Sequence, residues 1–166
     1  MNRSTNHIID LHLLQSVTAF IWAEADMLDH AEFDTWLALW APDSTYIVPI
    51  DPEASDFENT LNYAYDDAHM REMRVARLQN GESVSTQPAA RTVRNVSRVR
   101  VIDNDNGTLT VRAALDLRDF RKDAFHQHTA NVTWKLEPSG ENWRIQRKIV
   151  RLINSRDTLT SMGYIL

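Results

Sequence analysis

His126 and His128 stand two apart in a stretch of strand-like alternation, so their imidazoles leave the same face, the geometry with which a cupin-type barrel holds a metal. Such a site needs a carboxylate within a few residues. The next one is Glu137, at the far end of the stretch and on the opposite face, which makes these hydrogen-bonded or pocket-lining histidines rather than ligands. His7 and His12 have the gap found in two-histidine, one-carboxylate iron sites, but Ser4 occupies the position of the acid. Asp66 and Asp67 form an acid–base pair if they share a proton; a cap at the start of a helix is the stronger reading. No Gly-x-Ser-x-Gly turn is present, and the four scattered glycines make neither a P-loop nor a dinucleotide turn. With no cysteine, the chain supplies no thiol nucleophile, no disulfide and no thiolate for an iron–sulfur cluster.

The elements that must position these groups follow from periodicity. Between Ile8 and Leu28, the row Leu13, Val17, Phe20, Ile21, Glu24 and Leu28 recurs at three and four, predicting a first helix with Gln15, Glu24 and Asp26 near its wet edge. The polar residues in that stretch exclude a membrane span or secretory signal. Phe33, Trp36, Leu37 and Trp40 predict a short second helix closed by Pro42. Thr45 to Ile50 reads as a strand whose Pro49 confines it to an edge or a strand end. Residues 51–65 read as a polar surface excursion. A third helix then runs from an Asp66 or Asp67 cap to about Leu78, with Gly81 after it.

The rest is sheet. Leu109, Val111, Ala113, Leu115 and Leu117 alternate with polar residues, as do Ala130, Val132, Trp134 and Leu136. Asn106-Gly107 joins strands at about 92–103 and 108–120, and Pro138-Ser139-Gly140 leads to a last strand near 143–153. Three helices followed by a long antiparallel meander is an α+β plan, one domain over residues 1–166, whose sheet must curl around the helices to cover its apolar face. Residues 1–15 read as a flexible N-terminal segment. The apolar end, Met162 to Leu166, makes 154–166 a tail that docks onto protein.

The net charge of −5 hides a division. Residues 1–90 carry 4 basic and 15 acidic side chains, residues 91–151 carry 13 and 7, and the last fifteen carry one of each. Either acidic helices and basic strands neutralise each other on one surface, or the acidic face of one protomer meets the basic face of the next in a closed ring. Nucleic acid is a poor partner, because the basic stretch is diluted by Asp103, Asp105, Asp116, Asp119 and Asp123.

Four phrases in order carry a resemblance: Glu24-Ala25-Asp26-Met27-Leu28-Asp29 with Phe33, Trp36-Leu37-Ala38-Leu39, Asp43, Tyr46 and Pro49; Tyr65-Asp66-Asp67 with Arg74-Val75-Ala76-Arg77-Leu78; Pro88 to Val96 around Arg91-Thr92; and Trp143-Arg144-Ile145 with Arg147 to Val150. The chain resembles the small (beta) subunits of aromatic-ring-hydroxylating, Rieske-type non-haem iron dioxygenases over nearly its whole length. In the third phrase Ala90 stands where that family has a serine, and the family's usual histidine is absent.

The resemblance implies a cone-like, nuclear-transport-factor-type fold with a strongly curved, mixed, mostly antiparallel sheet. It implies a cytoplasmic, non-catalytic subunit that forms a trimer and braces a hetero-hexamer in aromatic catabolism. The Rieske cluster and the mononuclear iron would sit in the large (alpha) subunit, with no cofactor, metal or catalytic residue in this chain. Candidate interface residues are Asp66, Asp67, Arg91, Arg94, Asn95 and Tyr164, with the two arginines suited to Asp66 and Asp67 of the same or a neighbouring chain. The competing reading is a stand-alone dehydratase, isomerase or cyclase in the same cone. There His128, Asp29 and Tyr46 would do acid–base work in a pocket also lined by Trp40, His126 and Trp134.

Overall fold

The computed structural model describes residues 10–81, 90–156 and 164–166. His7, the first nine residues of the expected flexible segment, Pro88 and Ala89 of the third phrase, and residues 157–163 of the tail lie outside the described residues.

α1 (Leu11–Asp29) opens where the Asp10 carboxylate accepts from the Leu13 N–H and supplies one of the partners that a helix start lacks. Leu11–Gln15, the rest of the segment expected to be flexible, are helical. The apolar row buries Val17, Phe20, Ile21 and Leu28 as expected, but Glu24 is not at the wet edge. It is 1% exposed. α2 (Phe33–Leu37) is shorter than the periodicity suggests, because Trp40 opens a strand, β1 (Trp40–Pro49), instead of completing a helical turn. The Leu39 carbonyl accepts from Ile145 N–H, and Trp40 pairs with Ile145, so the sheet captures the chain two residues before Pro42. The ring of Trp40 still meets that of Trp36, edge to face at 5.3 Å. β1 ends at Pro49, where a missing N–H costs no central ladder bond.

The excursion is not wholly irregular. Its last residues form β2 (Asn62–Asp66), paired antiparallel with β1, and its Ala54 and Phe57 build a small second core with Ile47, Ile149 and Tyr65 on the outer face of the sheet. α3 (Ala68–Asn80) begins at Asp67, whose side chain accepts from Met70 N–H, and ends at Gly81 in the left-handed region, φ 61°. β3 (Arg91–Asp105), β4 (Thr108–Arg121), β5 (Ala124–Ser139) and β6 (Asn142–Leu152) follow as an antiparallel meander.

The six strands lie in the order β2-β1-β6-β5-β4-β3, with β1 and β6 parallel and every other pair antiparallel. α1 lies inside the bend of this sheet. Its side chains reach Val96 on β3 (Trp22 Nε1 to the carbonyl, 3.0 Å), Trp134 on β5, and Lys148 and Trp143 on β6. α1 therefore crosses from β3 to β6 on one face of the sheet. The bulges in β3 near Ser97–Arg100 and Val101–Asp103 help it bend. Among the described residues, no helix is long and apolar enough to cross a membrane.

Candidate functional site

The inward positions of α1, β5 and β6 bring a carboxylate and an amine together at the centre of the cone. Glu24 Oε1 lies 2.7 Å from Lys148 Nζ and accepts from the Trp36 indole at 3.2 Å, while Oε2 accepts from the Trp134 indole at 3.0 Å. Burial lowers the pKa of Lys148, and the adjacent Glu24 opposes that shift. Beside this cluster the buried Arg71 guanidinium stacks 4.0 Å over the Trp40 ring and donates to the Ser44 and Asp66 carbonyls. Its burial pulls the pKa down to about 10.

A second network ties the end of α1 and residues 164–166 to β3, β4 and β1. Asp29, the last residue of α1, receives the guanidinium of Arg94 on one oxygen and the Arg94 backbone N–H on the other at 2.9 Å, with Thr92 Oγ1 also donating at 2.9 Å. Arg94 then reaches the Ile165 carbonyl. Tyr164 donates to Asp119, and the Leu166 N–H donates to Tyr46 Oη at 3.1 Å. Residues 164–166 thereby bond to β4, β3 and β1 in succession. Ile165 and Leu166 are buried in this chain's own core. Burial is the main cause that raises the Tyr46 pKa, to about 12, and burial and the Asp119 carboxylate both raise that of Tyr164.

Asp119 supplies the carboxylate that seemed missing beside the two histidines. It lies opposite His126 on the neighbouring strand, 2.9 Å from His126 Nδ1 and 3.8 Å from His128 Nε2, a relationship that spacing along one strand does not reveal. Burial lowers the pKa of His128 more than Asp119 raises it, and His126 also lowers it. Among the described residues no group of three His, Asp or Glu side chains is arranged to hold a metal ion, and with no cysteine the chain has no thiolate for a cluster.

The sequence candidates fall into separate places. Within the chain, Arg94 does not meet Asp66 or Asp67, because α1 runs along the free edge of β3 and presents Asp29 to it. Asp66 is instead gripped by Arg74 through Nε at 2.6 Å and Nη2 at 3.0 Å, and Asp67 caps α3. The two carboxylates thus have separate partners. Arg91 and Asn95 are exposed on β3. Trp40, Tyr46, His128 and Trp134 are buried, His126 is half-buried, and Asp29 lines a groove of about 660 Å³ between α1 and β3. Glu24, Lys148 and Asp119 escaped sequence reasoning as a set. The signal for Glu24 was its position on the apolar row of α1. Lys148 had none, because a register shift between Lys135 and Leu136 advances β6 by one residue and turns Lys148 inward.

The family described as "Ring hydroxylating beta subunit" matches residues 23–158. The benzoate 1,2-dioxygenase subunit beta of Acinetobacter baylyi is 29% identical over 153 residues, covering 89% of this chain and 90% of that protein. Among solved structures, the beta subunit of the benzoate 1,2-dioxygenase of Burkholderia mallei superposes with a TM-score of 0.74 at 26% identity, over 92% of this chain and 97% of its own. An NTF2-like protein with a cystatin-like fold from Novosphingobium aromaticivorans shares the fold, with a TM-score of 0.61 at 15% identity over 93% and 92% of the two chains. The resemblance first drawn from four phrases thus extends through the sheet and the helices alike, and this chain belongs to the ring hydroxylating beta subunit family.

Proposed function

We propose that this chain is the non-catalytic bracing subunit of a cytoplasmic dioxygenase that hydroxylates an aromatic carboxylate. Three copies form a ring on which large subunits sit, and those carry the Rieske cluster and the mononuclear iron. As a beta subunit the chain has a large subunit for a partner, and two of the three proteins compared above belong to benzoate 1,2-dioxygenases, which supports an aromatic acid as the substrate class.

The observation that carries the bracing role is how the cone's interior groups are spent. Asp29 is held by Arg94, Tyr46 by Leu166, and Glu24 by Lys148 and two indoles, so each is committed to holding one part of the chain to another. A pocket enzyme leaves its acid and base free to meet a ligand in a cavity, whereas Asp29, which does line a groove, already holds Arg94 and Thr92. Residues 164–166 take up the remaining bonds of Arg94, Asp119 and Tyr46 in the same way.

The test is co-expression with the large subunit from the same source, followed by size-exclusion chromatography with light scattering and a benzoate turnover assay. The reading predicts a mixed hexamer whose colour and activity travel with the large subunit, and a colourless, inactive trimer when this chain is purified alone. Turnover by the isolated chain that His128→Ala abolishes would overturn it in favour of a stand-alone acid–base enzyme.

A further inference from the structure

Among the described residues, the outer face of the sheet is covered by the chain itself on one side only. The excursion at residues 51–61 folds over β1 and β6, sealing Ile47 and Ile149 beneath Ala54 and Phe57, with the Arg151 guanidinium 5.3 Å from the Phe57 ring. Over β3, β4 and β5 no such cover exists among the described residues. Near the β4–β5 hairpin that bare face exposes Phe125 (79%), its ring 4.9 Å from that of Phe120, and Val93 (59%). Arg91 sits opposite Phe120 in the ladder and Arg118 opposite Val93, both exposed on the same face and without an ion pair among the described residues. Aromatics flanked by arginines are the side chains enriched at protein interfaces.

The covered side has the complementary character. Residues 51–61 contain Asp51, Glu53, Asp56 and Glu58 and neither Lys nor Arg, and of these four Asp51 pairs with Arg156. Asp56 and Glu58 are exposed on the excursion, beside Leu61, which is 79% exposed. The two patches lie toward opposite edges of one sheet, so they cannot neutralise each other within a molecule, yet a rotation can bring one copy's patch to the next copy's.

We infer that a second copy of this chain docks the acidic excursion around Asp56, Glu58 and Leu61 on the bare sheet face around Arg91, Arg118 and Phe125, head to tail, and that this contact closes the ring. The inference rests on the ring proposed above and names its surfaces. Leu61 then meets the Phe120–Phe125 pair while the carboxylates face the guanidiniums, giving an apolar centre with a charged rim.

Analytical ultracentrifugation of the full chain tests it, with circular dichroism to show that the exposed substitutions leave the fold intact. Arg91→Glu with Arg118→Glu sets acid against acid and weakens self-association by about a hundredfold. Asp56→Arg with Glu58→Arg does the same from the other side. All four changes in one chain restore the ring, because the charges are again opposite. A wild-type chain of one-copy mass overturns the ring itself. A wild-type trimer that survives both reversals overturns this assignment of surfaces alone. So does a reversed variant that stays trimeric but no longer binds the large subunit, because the face then belongs to that partner.

Discussion

Glu24 and Lys148, 124 positions apart, meet at 2.7 Å with side chains 1% and 4% exposed. Their contact joins the middle of α1 to β6, and the two indole donors on the same carboxylate tie in Trp36, just before the sheet begins, and Trp134 on β5. A buried ion pair of this kind gains less from its attraction than it would lose from being broken, since either charge left alone stays out of water. Its effect is to specify one arrangement of helix against sheet among the several that an apolar core of leucines and valines tolerates.

Lys148→Met is therefore expected to destabilise the chain by about 3–5 kcal/mol. Glu24→Gln is no milder a change, because its amide would turn N–H groups toward donors that now meet only oxygen. Glu24→Leu combined with Lys148→Met should lose less than the two single losses added together. Urea unfolding followed by the fluorescence of the buried tryptophans measures wild type, Glu24→Leu, Lys148→Met and the pair, and strictly additive losses would mean the two residues do not act as a unit.

The segment 164–166 is anchored by groups that can be removed one at a time. Tyr46→Phe takes away the acceptor of the Leu166 N–H together with a long, 3.5 Å donation to the Leu166 carbonyl. Exchange of that amide should quicken roughly fivefold, for a stability loss of about 1 kcal/mol. Arg94→Lys keeps a charge but cannot grip Asp29 and reach the Ile165 carbonyl together, so it should free the segment more than Tyr46→Phe does. Equal exchange rates at Leu166 in wild type and both variants would show that the segment is held by burial alone.

What the sequence made legible was whatever repeats locally. The meander, its Asn106-Gly107 turn, the apolar row of α1 and the Gly81 stop of α3 each follow from a period or a turn preference read over a few residues. What stayed hidden depended on residues far apart in the chain. Lys148 turns inward because β6 slips one residue against β5, and Arg94 joins Asp29 because α1 happens to line the free edge of β3. Asp119 finds His126 across a ladder whose register no single strand encodes. Trp40 leaves the helical pattern because β6 offers its backbone a partner, a tertiary gain that overrides the three-and-four spacing.

Asp66 and Asp67, adjacent in sequence, are expected to respond as unrelated residues. Asp67→Ala removes the cap of α3 and should lose about 1 kcal/mol. Asp66→Asn gives up the two-pronged grip of Arg74 on a carboxylate that is itself buried, and should lose about 2 kcal/mol. Chemical denaturation of the two variants gives the order directly. A gain in stability from Asp66→Asn would instead reveal two carboxylates repelling each other.

The pH dependence of stability should carry opposite signatures from two histidines. Burial first, and His126 after it, lower the pKa of His128, against the pull of Asp119 on β4; Tyr164 of the tail also faces its ring. The unfolded chain therefore binds the proton that the folded chain refuses. Stability from this group is complete above the unfolded value of 6.5 and is lost as the pH falls from there through the lowered folded value. His30 behaves the other way: its bond to the Asp26 carbonyl, and then the Asp26 charge, raise its pKa, so its contribution is present below 6.5 and lost as the pH rises through the raised value. Because His30 is exposed, solvent screens its share and the slope of His128 should dominate. Urea midpoints taken from pH 7.5 down to 5.5 should fall in the wild type, flatten in His128→Asn, and steepen slightly in His30→Asn. An unchanged slope in His128→Asn would mean that another group refuses the proton.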